Sequence, residues 1–302
     1  MQNQILKDIN NLNIQGAAAI ARSGLRYIKE TILSTQTQNT SILHKKVRLA
    51  SKNVLSLRQT EPLLYNLIHY LFLEPPTGSV TLYKRYLLHR VNLLIQKLDN
   101  HSSYITNISL AKISFPCTIY THCHSNTVDQ ILVAAKNKGK RFLVNITETR
   151  PTFQGRKTAT SLAKVHIPVS YYIDSAARLA IKGADLVILG CDSITQTQII
   201  NKIGSGIICH LAHDLDIPVY IITHALKYDP RSRYGRDTPI EYRNNKEVWD
   251  NPPLGVTIHN PVFEPIHPEL VTGIISELGI LPHNAFITEV RKEYPWIEHT
   301  FH

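Results

Sequence analysis

Two kinds of hydrophobic spacing divide this chain. Up to about residue 100, apolar side chains recur at three- and four-residue intervals. One stripe is Leu63, Leu64, Leu67, Ile68 and Leu71; the next is Leu87, Val91, Leu94, Ile95 and Leu98. That interval puts each set on one face of an α-helix, where it reads as core packing. Thr60-Glu61-Pro62 supplies a cap with proline in the first turn, and Pro75-Pro76-Thr77-Gly78 separates the stripes. Gly16–Leu33 is alanine-rich with few breakers and reads as a further helix. From about residue 105 short β-rich runs take over: Thr118–Tyr120, Phe142–Ile146, Ile167–Ile173, Leu186–Leu189 and Val219–Ile222. Helical stretches lie between them, at Val128–Lys136, Thr158–Lys164, Ala176–Ile181 and Ile207–Leu215. Such alternation predicts an α/β fold, with a helical domain over 1–104 and a mainly parallel sheet, wound with helices on both faces, over 105–302.

Sheets of that kind bind ligands in the crevice beyond the strands' carboxyl ends. The residues just past each predicted strand are therefore informative. Thr121-His122-Cys123-His124-Ser125-Asn126 comes after the first, and Glu148-Thr149-Arg150-Pro151 after the second. The third ends at Asp174, the fourth leads to Asp192, and the fifth to Thr223-His224 with Lys227 behind it. A thiol, carboxylates and cations thus converge on one rim. The stretch Ala184–Gly206 is the centre of this pattern. Its apolar run Leu186–Leu189 ends at Gly190, and Asp192 lies two residues on. Asn201-Lys202 then precede Ile203-Gly204-Ser205-Gly206 as an expected helix start suited to an anion.

Composition narrows the partners. The chain has 302 residues and 43% hydrophobic content, enough for two folded domains. Its net charge of +10 points to anionic partners. The basic residues are scattered, which argues against nucleic acid and for cations gathered around a pocket. No apolar run approaches the roughly 18 residues that cross a bilayer, and no signal peptide is recognisable. Cys117, Cys123, Cys191 and Cys209 show no paired metal-type spacing and read as reduced thiols of a cytoplasmic protein.

Cys123 is placed at an expected helix start, where amide dipoles and nearby cations favour the thiolate and make it a base or nucleophile. His122-Cys123-His124 does not read as a metal site, because neighbours in an extended segment point to opposite sides. Arg58, Lys202 and Lys227 are surface charges or phosphate ligands.

The motifs resemble the superfamily that joins ribose-1,5-bisphosphate isomerase and methylthioribose-1-phosphate isomerase to the alpha, beta and delta subunits of translation initiation factor 2B. The resemblance covers nearly the whole chain. It is carried by Ile14-Gln15-Gly16-Ala17, Arg58-Gln59-Thr60, Thr121-His122-Cys123-His124-Ser125 and Glu148-Thr149-Arg150-Pro151. Gly190-Cys191-Asp192-Ser193-Ile194, Asn201-Lys202-Ile203-Gly204 and Asn260-Pro261-Val262-Phe263 continue it. It implies a Rossmann-like second domain and dimers, or hexamers built from dimers. In the isomerase branch it implies a catalytic pair at Cys123 and Asp192. Substrate contacts would fall at Gln15, Gly16, Arg58, Ser125, Asn126, Thr127, Asn201, Lys202 and Lys227. Gln15 stands where the isomerases usually present arginine.

The implied reaction is an aldose–ketose isomerisation of a phosphorylated pentose, ribose 1,5-bisphosphate first. Asp192 would be the acid and Cys123 the base, and neither metal nor cofactor is required. Two other readings stay open. One is methylthioribose 1-phosphate as substrate; the other is a non-catalytic subunit that binds translation initiation factor 2.

Overall fold

The computed structural model describes residues 2–11, 13–14, 16–57, 61–114, 116–236 and 238–298. Gln15 and Arg58, both expected at the site, lie outside the described residues.

Five helices open the chain: α1 (Gln2–Asn10), α2 (Ala17–Ser34), α3 (Thr40–Ser56), α4 (Pro62–Leu71) and α5 (Val80–Lys112). Each boundary has a local cause. Pro62 occupies the first turn of α4, Asn39 accepts backbone hydrogen bonds from Ser41 and Ile42 ahead of α3, and Ser79 caps α5 through Leu82. The apolar stripes are the buried ones. Leu63, Leu64, Leu67 and Leu71 of α4 and Leu87, Val91, Leu94 and Leu98 of α5 are at most 2% exposed. Burying each such side chain contributes about 1.5–3 kcal/mol.

The expected division between residues 104 and 105 falls inside α5, which runs unbroken to Lys112. The helix changes partner there rather than ending. Leu98 packs in the cluster that joins the helices to one face of the sheet, with Tyr120 and Val187, whereas Ile105 and Leu110 pack with Ile119 and Val144 on the other face.

The second half alternates as expected: β1 (Cys117–Thr121), α6 (Asn126–Asn137), β2 (Phe142–Thr147), α7 (Gln154–Lys164), β3 (Val169–Tyr172), α8 (Ala177–Lys182) and β4 (Leu186–Leu189). Then come β5 (Ser193–Ile194), β6 (Ile199–Lys202), α9 (Ser205–Asp214) and β7 (Val219–Ile222). Last are β8 (Phe263–Ile266), β9 (Gly273–Ser276), β10 (Gly279–Leu281) and α10 (His283–Glu293). Seven strands form one sheet in the order β10-β9-β7-β4-β1-β2-β3, parallel except for the antiparallel β9–β10 edge.

Alternation along the strands fills both faces. Tyr120, Val187 and Leu189 face one core; Ile119, Leu186 and Ile188 face the other. The α/β architecture read from the sequence is thus present, with helices on both faces. From β1 the chain builds outward through β2 to β3, then returns to place β4 on β1's other side. The order therefore reverses between β1 and β4, and a crevice opens beyond their carboxyl ends at that point.

One expectation fails here. Asn201 and Lys202 do not start a helix. They end β6, the central strand of a small antiparallel sheet β5-β6-β8. Helix α9 begins only at Ser205, with Gly204 as its cap at φ 99°. The run Ile199, Ile200, Asn201 and Lys202 is too short, and without alternation, to separate a strand from a helix entry, and its partner β8 lies some sixty residues onward.

Candidate active site

Cys123 leaves the end of β1 and Asp192 the end of β4, strands paired through Ile119–Leu186 and Tyr120–Val187. Paired strands run about 4.8 Å apart. The topology alone therefore brings thiol and carboxylate to one crevice. A cavity of 340 Å³ opens there, lined by Gly16, Cys123, Ser125, Asn126, Thr127, Asp192, Asn201, Lys202 and Lys227. Every described residue expected at the site lines this one cavity.

The walls come from separate elements. Gly16, the cap of α2, carries the helical domain into the site. Its φ is 85°, and a Cβ there would lie 2.8 Å from Asn126 Nδ2. Both facts require glycine at this position. Ser125 caps α6 by accepting from Val128 N–H. Asn201 is buried and donates through Nδ2 to Ser205 Oγ at 2.9 Å, joining β6 to α9. Lys227 donates to the Cys191 carbonyl. Lys202 is 6% exposed, and its charge acts on both the Cys123 thiol and the Glu247 carboxylate. A lysine held this deep in a cavity wall is suited to an anionic ligand.

The loop that holds Cys123 is fixed by a polar network. Cys123 N–H donates to Thr149 Oγ1 at 3.0 Å. The N–H groups of Thr149 and Arg150 donate to the Asp174 carboxylate at 2.9 and 2.7 Å, and this sets the turn after β2. His122 is 4% exposed, with Nε2 on the Ile203 carbonyl at 2.9 Å and Nδ1 on Thr147 Oγ1 at 2.8 Å. That pattern assigns a neutral ring protonated on Nε2, and burial lowers its pKa accordingly. His124 turns instead to Thr158 Oγ1 at 2.9 Å. The three side chains of the His122-Cys123-His124 triplet therefore find three different partners.

The expected thiolate is not the ground state. Burial pushes the Cys123 thiol up to about 11. Lys202 and a backbone hydrogen bond from His124 pull the other way, and Asp192 and Asp174 add to the rise. The reason lies in placement. Cys123 sits before the Ser125 cap, in the left-handed region at φ 66°, and not in the first turn of α6. Its Sγ–H donates to Gln154 Oε1 at 3.3 Å. Lys202 and Asp192 thus both act on the Cys123 thiol, and all three line the same cavity. Cys191 and Cys209 are buried, with thiols raised to about 12, and Cys117 is raised to about 11. Burial is the main cause in each, as expected of inert thiols.

Two contributors were missed from the sequence. Gln154 meets the thiol because α7 starts four residues earlier than expected. Phe153 caps it in the left-handed region, and Gly155 is where a Cβ would sit 2.0 Å from the Thr147 carbonyl oxygen. Arg243 reaches the cavity rim from the long β7–β8 connection, held by Glu247 through Nε and Nη2. Tyr242-Arg243 belongs to the stretch Glu241–Pro265 that resembles the ribose-bisphosphate isomerases, but that likeness gave Arg243 no role at the site.

These features define a class: a two-domain α/β protein with a cation-walled crevice between a helical domain and a parallel sheet's carboxyl edge. The chain belongs to the initiation factor 2 subunit family, which matches residues 13–283. It is similar to the ribose 1,5-bisphosphate isomerase of Thermococcus kodakarensis, at 32% identity over 97% of this chain and 94% of the relative. Among solved structures it resembles the Pyrococcus horikoshii OT3 translation initiation factor eIF-2B, with a TM-score of 0.80 and 26% identity. That alignment covers 93% of this chain and 96% of the other. It shares its fold with the 5-methylthioribose 1-phosphate isomerase of the same organism, with a TM-score of 0.79 and 19% identity over 97% and 88% of the two chains. Among the described residues no helix is long and apolar enough to cross a membrane.

Proposed function

We propose that the protein is a sugar-phosphate aldose–ketose isomerase that converts ribose 1,5-bisphosphate to ribulose 1,5-bisphosphate. The observation that carries this reading is that Cys123 and Asp192 line one cavity with Lys202 and Lys227. The cavity's 340 Å³ falls within the roughly 300–1,000 Å³ of small-molecule sites. The full-length likeness to relatives named ribose 1,5-bisphosphate isomerase supports the same substrate.

A sugar with phosphate on its anomeric oxygen cannot open to a free aldehyde, so the ring oxygen must receive a proton as the C1–ring-oxygen bond breaks. The pair starts as thiol and carboxylate. The thiol proton passes to Asp192, which Lys202 favours by stabilising the sulfur anion. Asp192 then protonates the ring oxygen, and the sulfur takes the C2 proton to give an enol phosphate. Return of that proton to C1, with loss of the C2 hydroxyl proton to Asp192, yields the 2-ketose, and the proton then passes from Asp192 back to sulfur to restore thiol and carboxylate. Each positioned proton transfer contributes about 10²–10⁴-fold. Lys202, Lys227 and Arg243 hold the phosphates, and Gly16 with Asn126 closes the helical side of the pocket. Arg58 and Gln15 are assigned to substrate on sequence grounds. The active unit is a cytoplasmic homodimer, or a hexamer built from dimers.

A second reading is favoured by the likeness to a structure named translation initiation factor eIF-2B: a non-catalytic subunit that binds translation initiation factor 2. One experiment separates the readings. The purified protein is incubated with ribose 1,5-bisphosphate and with methylthioribose 1-phosphate, and aldose-to-ketose conversion is tracked by NMR. Turnover of the bisphosphate is expected. Turnover of the methylthio sugar alone would change the substrate. No turnover of either, with capture of initiation factor 2, would replace the proposal.

A further inference from the structure

Outside the cleft, His101 of α5, His224 after β7 and Glu277 after β9 converge. One donor atom from each lies within 4.8 Å of the others. His101 Nδ1 stands 3.0 Å from Glu277 Oε1. His224 is 1% exposed, and neither of its ring nitrogens has a hydrogen-bond partner. A buried imidazole with an idle donor and an idle acceptor is costly, and native interiors rarely keep one without a reason. The Glu277 carboxylate is held in place by the Ala225 N–H, at 3.1 Å from both oxygens, and by the Tyr294 hydroxyl at 3.4 Å.

The structure assigns to His101, His224 and Glu277 a site for a divalent transition metal of the zinc type. Two imidazole nitrogens and one carboxylate oxygen are a donor set that zinc accepts, with a fourth position left for water. Bonds of about 2.0–2.2 Å put tetrahedral donors about 3.4 Å apart, so the widest gap closes by small side-chain rotations. The His101 side chain is 20% exposed and supplies the route in from solvent. Metal on His101 Nδ1 requires that nitrogen's hydrogen to leave for Nε2 or solvent.

The neighbouring charges define the balance. The charges of Lys227 and Arg22 act on His224 and oppose a cation; Glu277 offsets them, and Arg22 is itself paired with Asp99 at 2.5 Å. Burial lowers His224 to about 4, so its ring is neutral and available for ligation at neutral pH.

The ion would tie the helical domain, through α5, to the ends of β7 and β9. It would also brace the turn Ala225–Lys227, which delivers Lys227 to the cavity wall. This site is independent of the isomerase reading.

The test uses the untagged full chain, freed of metal with a chelator and titrated with Zn²⁺ and, separately, Co²⁺. Expected are one equivalent of metal per chain and a rise in melting temperature of at least about 3 °C. Co²⁺ should add visible d–d absorption. In His101→Ala, a change at a partly exposed position, Zn²⁺ affinity should fall at least tenfold and the melting shift should vanish. Glu277→Gln, which keeps an acceptor for Ala225 N–H, should weaken binding likewise. A wild-type protein whose melting temperature ignores Zn²⁺ would overturn the site. So would His101→Ala retaining the same uptake and shift.

Discussion

In helices α2 to α5 the buried side chains are mostly aliphatic, and their spacing matches the helical period. At the carboxyl ends of β1, β2 and β4 the situation is reversed. Buried groups there are polar, and three residues in or beside the cleft, Cys123, Thr149 and Phe153, sit at φ 66°, 60° and 53°. Each such non-glycine conformation costs about 1–3 kcal/mol and persists only where surrounding contacts fix it. The helical region thus supplies stability, and the strand-end loops give up some of it to aim a thiol, a carboxylate and two lysines at one cavity.

If that contrast holds, the two regions respond differently to substitution. Asp192→Asn is expected to lower kcat on ribose 1,5-bisphosphate by about 10²–10⁴-fold while the melting temperature moves by no more than a few degrees. A loss of stability matching a core deletion would break the contrast. Leu67→Ala, at a position 1% exposed in α4, is the mirror case. It should cost about 2–5 kcal/mol in denaturant unfolding, with kcat of the remaining folded enzyme unchanged.

Acid sharpens the comparison from the sheet side. His224, with a folded pKa of about 4 against an ordinary 6.5, is neutral in the fold because burial penalises its charge. As pH falls from 6.5 toward 4 the unfolded chain takes up the proton first. Stability present above pH 6.5 is therefore lost on the way down. For chelator-treated protein the loss from this residue is on the order of 3 kcal/mol. Burial shifts His122, His124 and His283 in the same direction. Unfolding free energy that stays flat between pH 7 and 4.5 would contradict this.

The smallest effect belongs to the seam between the regions. Gly16→Ala forces a Cβ against Asn126 at a positive φ and should cost about 1–2 kcal/mol. It should also raise KM more than it lowers kcat, and an unchanged KM would detach Gly16 from the pocket.

The periodic parts of the molecule were legible in the sequence. The stripe on α4, the run Leu186–Leu189 and the polar residues after each strand all sit where their spacing put them. Cys123 and Asp192 drew notice because a parallel sheet delivers its loops to one edge, and their pairing came from the family resemblance. Four things escaped because they depend on long-range placement. The β5-β6-β8 sheet pairs segments far apart in sequence. Gln154 meets the thiol only through the strained start of α7, and Arg243 arrives on a long connection without periodicity. The charge state of Cys123 was misread because sequence reveals a nearby helix start but not the burial that outweighs it.

The central claim is that the sulfur of Cys123 and the carboxylate of Asp192 exchange protons with one sugar in one cavity. Its most direct test is the rate of ribulose 1,5-bisphosphate formation by Cys123→Ser beside the wild-type protein, with equal folding confirmed by circular dichroism. A fall of at least about 100-fold is predicted. Conversion at close to the wild-type rate would contradict the account.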